Sequence, residues 1–273
     1  MPQPTSHSEH TVDAQSDRRY VTALSRGLEL LSCFRSGDKL LGNHDIARRC
    51  QLPKSTVSRL TYTLTALGYL RYVPRENKYR LGSASLALGS AMLFGLAVRQ
   101  QARPLMQRLA AFTQSEVALA TRDRHTMIYI EHCPSPKPHP RAQTLETGAR
   151  VPLATTAIGR AWLAACPAHE RNEAIAYLQN HATAQWQSLN HAQADERTAG
   201  GEAAQSIVSH SFGDWMPQVN GIAVAFDPGR GLPLMAMSCG GPHHDLPPSV
   251  LIDRAQPELL RVVQRLQSRF RQP

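Results

Sequence analysis

Residues 40–82 read LLGNHDIARRCQLPKSTVSRLTYTLTALGYLRYVPRENKYRLG, and their signals follow the order helix, helix, hairpin. Asn43 has the side chain of an N-cap, so a short helix is predicted to start there. Pro53 opens the next helix, where its missing amide costs nothing, and Gly68 ends it. The runs YLRYV and KYRL then flank a four-residue turn, 74–77, as in a β-hairpin.

A further helix precedes this stretch and should end near Phe34. Its apolar residues, like those of the helix after Pro53, are spaced 3, 4 and 3 apart, which aligns them on one face of a helix. The two apolar faces are formed by Val21, Leu24, Leu28 and Leu31 and by Val57, Leu60, Leu64 and Leu67. Three helices and a hairpin predict a winged helix-turn-helix domain at 19–82.

The positive charge of the chain is concentrated in the same block. The net charge is +9, and residues 18–82 hold 13 Lys or Arg against 4 Asp or Glu, which accounts for all of it. The segments before and after this block have small charges of opposite sign. A basic block of this kind indicates a polyanionic partner, and we expect double-stranded DNA.

The third helix has a polar face opposite its leucine face. Small hydroxyl side chains surround one arginine there, as a helix that enters the major groove requires. An ordinary solvated face is the alternative, and the adjoining helix, hairpin and charge favour DNA. The residues predicted to bind DNA are Asn43, Lys54, Ser55, Thr56, Ser58, Arg59 and Tyr62, with Arg75, Lys78 and Arg80 of the hairpin as phosphate contacts.

The remaining chain, 101–273, has the pattern of an α+β domain with a largely antiparallel sheet. Helices are predicted at 104–112, 157–166, 167–180 and 251–270, whereas 181–204 gives no clear signal. Strands are predicted at VALAT (117–121), TMIYIEHC (126–133), IVSHSF (207–212), GIAVAF (221–226) and LPLMAMSC (232–239).

Residues 83–100 are rich in alanine and leucine and are predicted to form a helical linker. The apolar part, 86–98, has more hydrophobic surface than a spacer needs. Because helix-turn-helix proteins usually read paired half-sites as symmetric oligomers, we expect a homodimer or a dimer of dimers. Packing of this helix against the first helix of the same chain is the alternative.

No segment has the length of a membrane span, which takes about 20 apolar residues. Residues 1–17 carry three acids and neither Lys, Arg nor an apolar run, so they lack the parts of a secretory signal. We therefore expect a cytoplasmic protein whose first residues, 1–18, form a disordered tail.

The five cysteines form no CxxC pair, and none lies at the short Cys/His spacing that binds zinc. Reduced, buried thiols are therefore expected. There is no glycine-rich loop that would hold a phosphate. We expect no cofactor, no metal site and no catalytic residues. The competing hypothesis is a ligand-processing enzyme that carries a DNA-binding module, and the lack of a convincing acid, base and nucleophile argues against it.

Several motifs together resemble the IclR family of bacterial transcriptional regulators. LPKSTVSRL (52–60), followed by LGYL and YRLG, carries the resemblance in the N-terminal block. It continues through ARPLMQRLA (102–110), PLATTAIGRAWL (152–163) and SCGGP (238–242). The resemblance implies a winged helix for DNA, a helical linker for dimerisation, and a GAF-like C-terminal domain that binds a small effector.

The resemblance also implies where the effector binds. The loop residues Thr156, Ala157 and Ile158 would hold its carboxylate through backbone amides, and the site would be closed by His210, Asn220, Ser238 and Gly240. Family members that bind small keto acids have an acid, a cysteine and a serine where this chain has His210, Asn220 and Gly240. We therefore expect a larger carboxylate, with an aromatic one among the candidates. For His210, a structural role at a strand edge is the alternative.

The chemistry of the loop supports an anionic effector. Thr155 and Thr156 precede a helix, and the free amides of a helix N-terminus favour negative charge by roughly 0.3–1 kcal/mol. Trp215 and Met237 are predicted to supply an apolar wall.

Overall fold

The computed structural model describes residues 18–35, 37–137, 145–189, 208–229 and 231–271. The chain forms two compact units, Met1–Gly95 and Leu96–Pro273, here called the N-terminal and C-terminal units. The tail predicted for 1–18 lies almost entirely outside the described residues. Within the described part of the chain, no helix is both long and apolar enough to cross a membrane.

The N-terminal unit is the predicted winged helix-turn-helix, extended by one helix. A short bridge between Leu41 and Tyr79 ties the hairpin to the segment before the second helix. Asn77 adopts a left-handed conformation in the turn that joins the two strands. The elements are α1 (Thr22–Ser32), α2 (Asn43–Cys50), α3 (Lys54–Ala66), β1 (Leu70–Val73), β2 (Lys78–Leu81) and α4 (Ser83–Gly95).

The apolar face of α1, which was predicted to be buried, is mostly exposed. Leu24 is 61% exposed and Leu28 50% exposed, whereas Leu30 is completely buried. The spacing of apolar residues identifies a hydrophobic face, but it does not say whether the surface that covers this face belongs to the same chain. The core of the unit is formed by Leu30, Phe34, Leu41, Ile46, Val57, Leu64 and Leu70.

The start of α2 also differs from the prediction, because Gly42 and not Asn43 is the N-cap. Asp45 completes this cap by accepting a hydrogen bond from the Gly42 amide at 3.3 Å. Asn43 is the first helical residue, and its side-chain oxygen accepts a hydrogen bond from the buried Thr61 hydroxyl at 3.4 Å. In α3, Thr61 is thus part of the buried face, and Leu67, predicted to be buried, is 61% exposed.

The C-terminal unit is built on one antiparallel sheet in the order β5-β4-β3-β8-β7-β6. Its elements are α5 (Ala97–Thr113), β3 (Glu116–Asp123), β4 (Thr126–Cys133), β5 (Arg150–Pro152), α6 (Ala157–Ala165), α7 (Ala168–His181), β6 (Val208–Phe212), β7 (Val219–Phe226), β8 (Met235–Pro242) and α8 (Gln256–Arg271). A short helical turn and a π-helical turn, Pro248–Val250 and Leu251–Ala255, lead into α8. Residues 183–189, in the segment that gave no signal, are helical.

Both faces of the sheet are covered by helices. Ala118 and Ala120 of β3 belong to the apolar cluster that includes Trp162 of α6 and Leu178 of α7. Because successive strand residues face opposite sides, the intervening Leu119, which is fully buried, packs on the other face. Helices α5 and α8 cover that second face.

The linker helix predicted for 83–100 ends at Gly95 in the structure, and α5 begins two residues later. Pro104, predicted to start a helix, lies in the middle of α5. Its ring removes one backbone hydrogen bond from the helix. The helix persists because its apolar side, which includes Val98 and Leu105, is buried against the sheet.

Gly82, at the end of the hairpin, allows a close contact between two backbone segments. Its amide donates a hydrogen bond to the Tyr69 carbonyl at 2.7 Å. A Cβ added at Gly82 would lie 2.1 Å from the Gly68 carbonyl oxygen. Since this oxygen belongs to the backbone, no side-chain rotation can relieve the overlap.

We expect Gly82→Ala to destabilise the N-terminal unit by about 1–3 kcal/mol, because the backbone must move to accept the methyl group. Gly27, inside α1, has nothing within 4 Å of an added Cβ. Gly27→Ala is the matched control and should stabilise the unit by about 0.5–1 kcal/mol. Urea unfolding of the full chain, followed by circular dichroism, measures both. Equal effects of the two substitutions would contradict the steric explanation.

Candidate functional site

Helix α3 presents the predicted polar face to solvent. Tyr62 is 77% exposed, Thr56 at the edge of the face is half-buried, and four further side chains are exposed: Lys54, Ser55, Ser58 and Arg59. Short side chains around one arginine let a helix approach base edges closely. Asn43, by contrast, is engaged with Thr61 between α2 and α3.

The hairpin carries a second group of cations. Arg75 and Arg80 are exposed and Lys78 is half-buried. Tyr72 holds the turn by donating a hydrogen bond from its hydroxyl to the Asn77 side chain at 2.8 Å. The ring of Tyr72 also packs on the ring of Tyr79, with centroids 5.1 Å apart. The tyrosines therefore order the hairpin that presents the cations.

Arg71 is a cation in the hairpin that sequence reasoning missed. It lies directly opposite Arg80 in the β1–β2 register, and both side chains are exposed. Like charges at directly opposed positions repel each other, and an anion bound between them would relieve this repulsion. A register counted outward from the four-residue turn would have placed the two arginines together.

Not every cation of the basic block faces solvent. Arg49 donates hydrogen bonds to both carboxylate oxygens of Asp38 and to the Cys33 carbonyl. Hydrogen bonding to Arg49 lowers the pKa of Asp38. These bonds tie the end of α2 to the end of α1 and to the loop between the two helices, so Arg49 serves the fold rather than a bound polyanion.

The C-terminal unit contains a cavity of about 100 Å³ between the sheet and the N-terminus of α6. Six of the seven residues predicted to bind the effector line it: Thr156, Ala157, Ile158, Asn220, Ser238 and Gly240. The predicted apolar wall is half present, because Trp215 lines the cavity and the fully buried Met237 does not.

His210, the seventh predicted residue, does not line the cavity. Successive residues of a strand face opposite sides, and its neighbour Ser211 lines the cavity instead. The His210 ring packs edge-on against Phe212, two residues further along the same strand. The Ser211 hydroxyl donates a hydrogen bond to the Thr155 carbonyl at 2.7 Å, which ties β6 to the loop before α6.

The N-terminus of α6 opens onto this cavity. The Thr156 side chain caps the helix by accepting a hydrogen bond from the Gly159 amide at 3.2 Å. The amides of Ala157 and Ile158 belong to the first turn of α6, where no carbonyl of the helix can accept their hydrogen bonds. Both residues line the cavity, so the end of the helix that favours negative charge faces a ligand-sized space.

Two residues hold this part of the cavity in shape. The Asn220 amide donates a hydrogen bond to the Leu246 carbonyl at 3.0 Å. Arg160 is 5% exposed and bonds to the carbonyls of Ala154 and His210 at 2.9 and 2.7 Å, and to the Asp214 carboxylate at 2.9 Å. One buried guanidinium thus joins the loop before α6, strand β6 and the turn after it.

Sequence reasoning missed Glu116, Tyr129 and His132, which line the cavity on the side of β3 and β4. Tyr129 and His132 are three residues apart, which in a regular strand would place them on opposite faces. The register of β4 against β3 shifts between Leu119 and Ala120 of the partner strand. This irregularity brings both side chains to the same face. No local sequence pattern predicts it.

The chemistry of this region is that of a binding site. Burial raises the pKa of the Tyr129 hydroxyl, which therefore stays neutral. Burial also raises the pKa of Cys239, which lines the cavity, to about 12, and that of Cys133 to about 11. Both thiols are protonated at neutral pH, whereas a nucleophilic cysteine requires the thiolate. Among the described residues, no three His, Cys, Asp or Glu side chains are grouped to hold a metal ion.

A winged helix-turn-helix with an exposed basic surface, together with a unit that holds a small, mostly apolar cavity with a few polar groups, defines a ligand-responsive DNA-binding protein. The IclR helix-turn-helix domain model matches residues 23–74, and the model for the C-terminal domain of bacterial IclR transcriptional regulators matches 90–195. The HTH-type transcriptional regulator TsaQ1/TsaQ2 of Comamonas testosteroni is 32% identical over 94% of this chain and 91% of its own length. The chain therefore belongs to the IclR family of transcriptional regulators.

Solved structures agree with this assignment. An IclR family transcriptional regulator from Brucella abortus is 36% identical, with a TM-score of 0.80 over 97% of this chain and 99% of that one. An IclR homologue from Microbacterium hydrocarbonoxydans, solved in complex with 4-hydroxybenzoate, is 22% identical and has the same fold, with a TM-score of 0.61 over 91% of this chain and 97% of that one. The protein is a transcriptional regulator with a DNA-binding domain and an effector-binding domain, and its family is one of regulators rather than enzymes.

The exposed face of α3 leads to a prediction about DNA reading. Arg59→Ala should weaken binding to a preferred sequence, selected from random DNA, by about 1–3 kcal/mol while changing random-sequence binding much less. Lys78→Ala should weaken binding to both DNAs alike, because a phosphate contact carries no sequence information. Fluorescence anisotropy at fixed salt measures both affinities.

The control for this experiment is Lys137→Ala, which removes an exposed cation of the C-terminal unit. Its effect on either DNA should be small. Equal losses on the selected and the random DNA for Arg59→Ala would assign Arg59 to phosphate and not to base contact.

Proposed function

We infer that this regulator binds specific DNA sequences as a homodimer or a dimer of dimers, and that an aromatic carboxylate bound in the C-terminal unit controls it. The observation that carries the effector assignment is the N-terminus of α6 opening onto the cavity. Because bacterial DNA lies in the cytoplasm, a regulator that binds it would act there.

A carboxylate fits the α6 end of the cavity for electrostatic reasons. The free amides of Ala157 and Ile158 donate to an anion, and the helix dipole adds to their effect. The Asn220 and Ser211 side chains beside them are already bonded to the protein. They therefore support the walls of the cavity, and the backbone amides bind the charge.

The lining of the cavity favours a ring over a two- or three-carbon keto acid. Its volume of about 100 Å³ is of the same order as the ~150 Å³ cavity that accommodates benzene. Trp215, Ile158 and Val219 supply apolar surface. The aromatic acid bound by the Microbacterium hydrocarbonoxydans homologue supports this class of ligand for the present fold.

The specific DNA contacts that we propose are those with exposed side chains in α3 and the hairpin. Base reading belongs to α3, with Arg59 as the donor to guanine or phosphate. Positioning on phosphates belongs to Arg75, Lys78 and Arg80, with Arg71 added. The full set is Lys54, Ser55, Thr56, Ser58, Arg59, Tyr62, Arg71, Arg75, Lys78 and Arg80.

Helix α4 supports the proposed oligomer. Its residues include none that is buried, although its composition is strongly apolar. Leu86 and Phe94 are 73% and 74% exposed, and Leu88 and Met92 are more than half exposed. Several large apolar side chains exposed on one helix typically mark a protein interface. A second copy of α4 supplies a surface of matching chemistry, whereas packing on α1 of the same chain would have buried these side chains.

The effector assignment predicts that benzoate raises the melting temperature of the full chain and benzamide does not, because only benzoate carries the charge that α6 stabilises. Trp215→Ala should reduce the benzoate-induced shift by removing apolar contact. Trp186→Ala is the matched control, since Trp186 packs on the same apolar cluster without lining the cavity. Thermal-shift titration measures all three.

Two outcomes would count against this site. A shift that is equal for benzoate and benzamide would show that the charge is not recognised. A benzoate-induced shift that Trp215→Ala leaves at the wild-type value would place the ligand elsewhere in the protein.

The oligomer assignment predicts that sedimentation at micromolar concentration shows a dimer or tetramer. Phe94→Glu should raise the dissociation constant at least tenfold, because a charge would be buried in an apolar interface. Ser83→Glu, at the exposed start of the same helix, is the control and should leave assembly unchanged. A wild-type chain that sediments as a monomer, with and without DNA, would contradict the assignment.

A further inference from the structure

The cavity has a second polar end, formed by Glu116 of β3 and His132 of β4. The His132 Nε2 lies 3.4 Å from a carboxylate oxygen of Glu116, and the His132 side chain is only 9% exposed. Neither residue belongs to the α6 end described above. The cavity is therefore polar at two separate places.

The His132 Nε2 atom is buried and has no hydrogen-bond partner among the described residues. Its contact with Glu116 does not meet the geometry of a hydrogen bond. Buried polar atoms of folded proteins are nearly always hydrogen-bonded, and exceptions often mark places where a ligand binds. Since His132 lines the cavity, a molecule inside it can supply the missing partner.

The strand register gives the distance between the two ends. A Cβ on Gly221 of β7 would lie 3.9 Å from Ala157 Cβ, so the N-terminus of α6 packs next to Gly221. Gly221 is opposite Gly240 of β8, and Gly240 is opposite Glu116. Two strand spacings of about 4.8 Å separate the ends by roughly 10 Å along the sheet.

The floor between the two ends is flat. Small residues line it: Gly221, Gly240, Ala118 and Ser238. A Cβ on Gly240 would come within 2.8 Å of the Asn220 carbonyl oxygen, so this position holds a glycine for steric reasons. A planar ring fits over such a floor, and a larger side chain there would fill its place.

We propose that Glu116 and His132 select a hydrogen-bond donor on the far side of the ring, so that the effector is an aromatic monocarboxylate with a para hydroxyl or amino group. Such a ring holds its two polar groups about 6 Å apart, and a hydrogen bond of about 2.8 Å at each end gives a span comparable to that between α6 and Glu116. The proposal rests on the carboxylate site of the proposed function and adds the group recognised at the opposite end.

The charge of Glu116 makes the selection directional. A carboxylate accepts hydrogen bonds and cannot donate them, so it favours a hydroxyl or amino group over an ether oxygen. It also repels a second carboxylate at the para position. His132 next to it can accept from or donate to the same substituent, depending on its tautomer.

The test is calorimetric titration of the full chain with four probes: 4-hydroxybenzoate, benzoate, 4-methoxybenzoate and terephthalate. We expect 4-hydroxybenzoate to bind at least tenfold more tightly than each of the others. Glu116→Ala should reduce its advantage over benzoate to less than threefold while leaving the affinity for benzoate within twofold of wild type.

Further variants separate recognition from general damage. His132→Phe keeps a ring beside Tyr129 but removes Nε2, and it should also reduce the preference for 4-hydroxybenzoate. Glu258→Ala, at a half-buried carboxylate of α8 that is paired with Arg261 and does not line the cavity, is the control and should leave all four affinities unchanged. Circular dichroism confirms that each variant is folded.

The outcomes distinguish this inference from the proposed function. If wild-type protein binds benzoate and 4-hydroxybenzoate equally, Glu116 and His132 do not recognise the para hydroxyl group and the inference is wrong. The proposed carboxylate site is not contradicted by that result. The inference is also wrong if terephthalate or 4-methoxybenzoate is preferred. If none of the four probes binds, the effector class of the proposed function fails, and this inference fails with it.

Discussion

The cavity of the C-terminal unit depends on the buried guanidinium of Arg160. A charge this deeply buried is costly unless its donors are satisfied, and Arg160 satisfies them with carbonyls from separate segments and one carboxylate. Its partners are the loop that carries the Thr156 cap, the strand that carries Ser211, and Asp214 beside Trp215. These are three walls of one cavity, so their relative positions follow from the planar geometry of a single side chain.

This arrangement explains how a helix N-terminus is kept free for a ligand. The end of α6 is held from behind by Arg160, one turn into the helix, and from the side by the Ser211 hydroxyl on the Thr155 carbonyl. Thr156 uses its own side chain on Gly159, which leaves the amides before Gly159 to face the cavity. Gly159 itself is required here, because a Cβ at this position would lie 2.1 Å from the Leu153 carbonyl oxygen.

The local rules that predict secondary structure succeeded where neighbours in the sequence are also neighbours in space. Pro53 and Gly68 bound α3, and the turn residues 74–77 join the hairpin, because caps and turns depend on a few adjacent residues. The same rules missed contacts made at a distance. Leu24 has the spacing of a core residue and is exposed, and Pro104 has the character of a helix start and lies within a helix that the sheet stabilises.

For the cavity, the α6 end could be predicted and the β3–β4 end could not. The resemblance to a known family pointed to Thr156, Ala157 and Ile158, and the chemistry of a helix N-terminus supported it. His210 was predicted to close the site, but its neighbour Ser211 lines the cavity, because the two residues lie on opposite faces of the strand. Tyr129 and His132 were missed because an irregularity in strand pairing, not a motif, places them on one face.

The same irregularity sets the chemistry on the other face of the sheet. Glu131, between the cavity residues Tyr129 and His132, is 1% exposed and forms ion pairs with Arg99 at 2.9 Å and Arg103 at 2.6 Å on α5. Arg99 also donates a hydrogen bond to the Ile130 carbonyl at 3.0 Å. A buried carboxylate that lost these partners would be left uncompensated, at a cost of several kcal/mol. The strand that carries the polar end of the cavity is thus anchored to the first turns of α5, which makes β4 a stiff wall and fixes where its side chains meet a ligand.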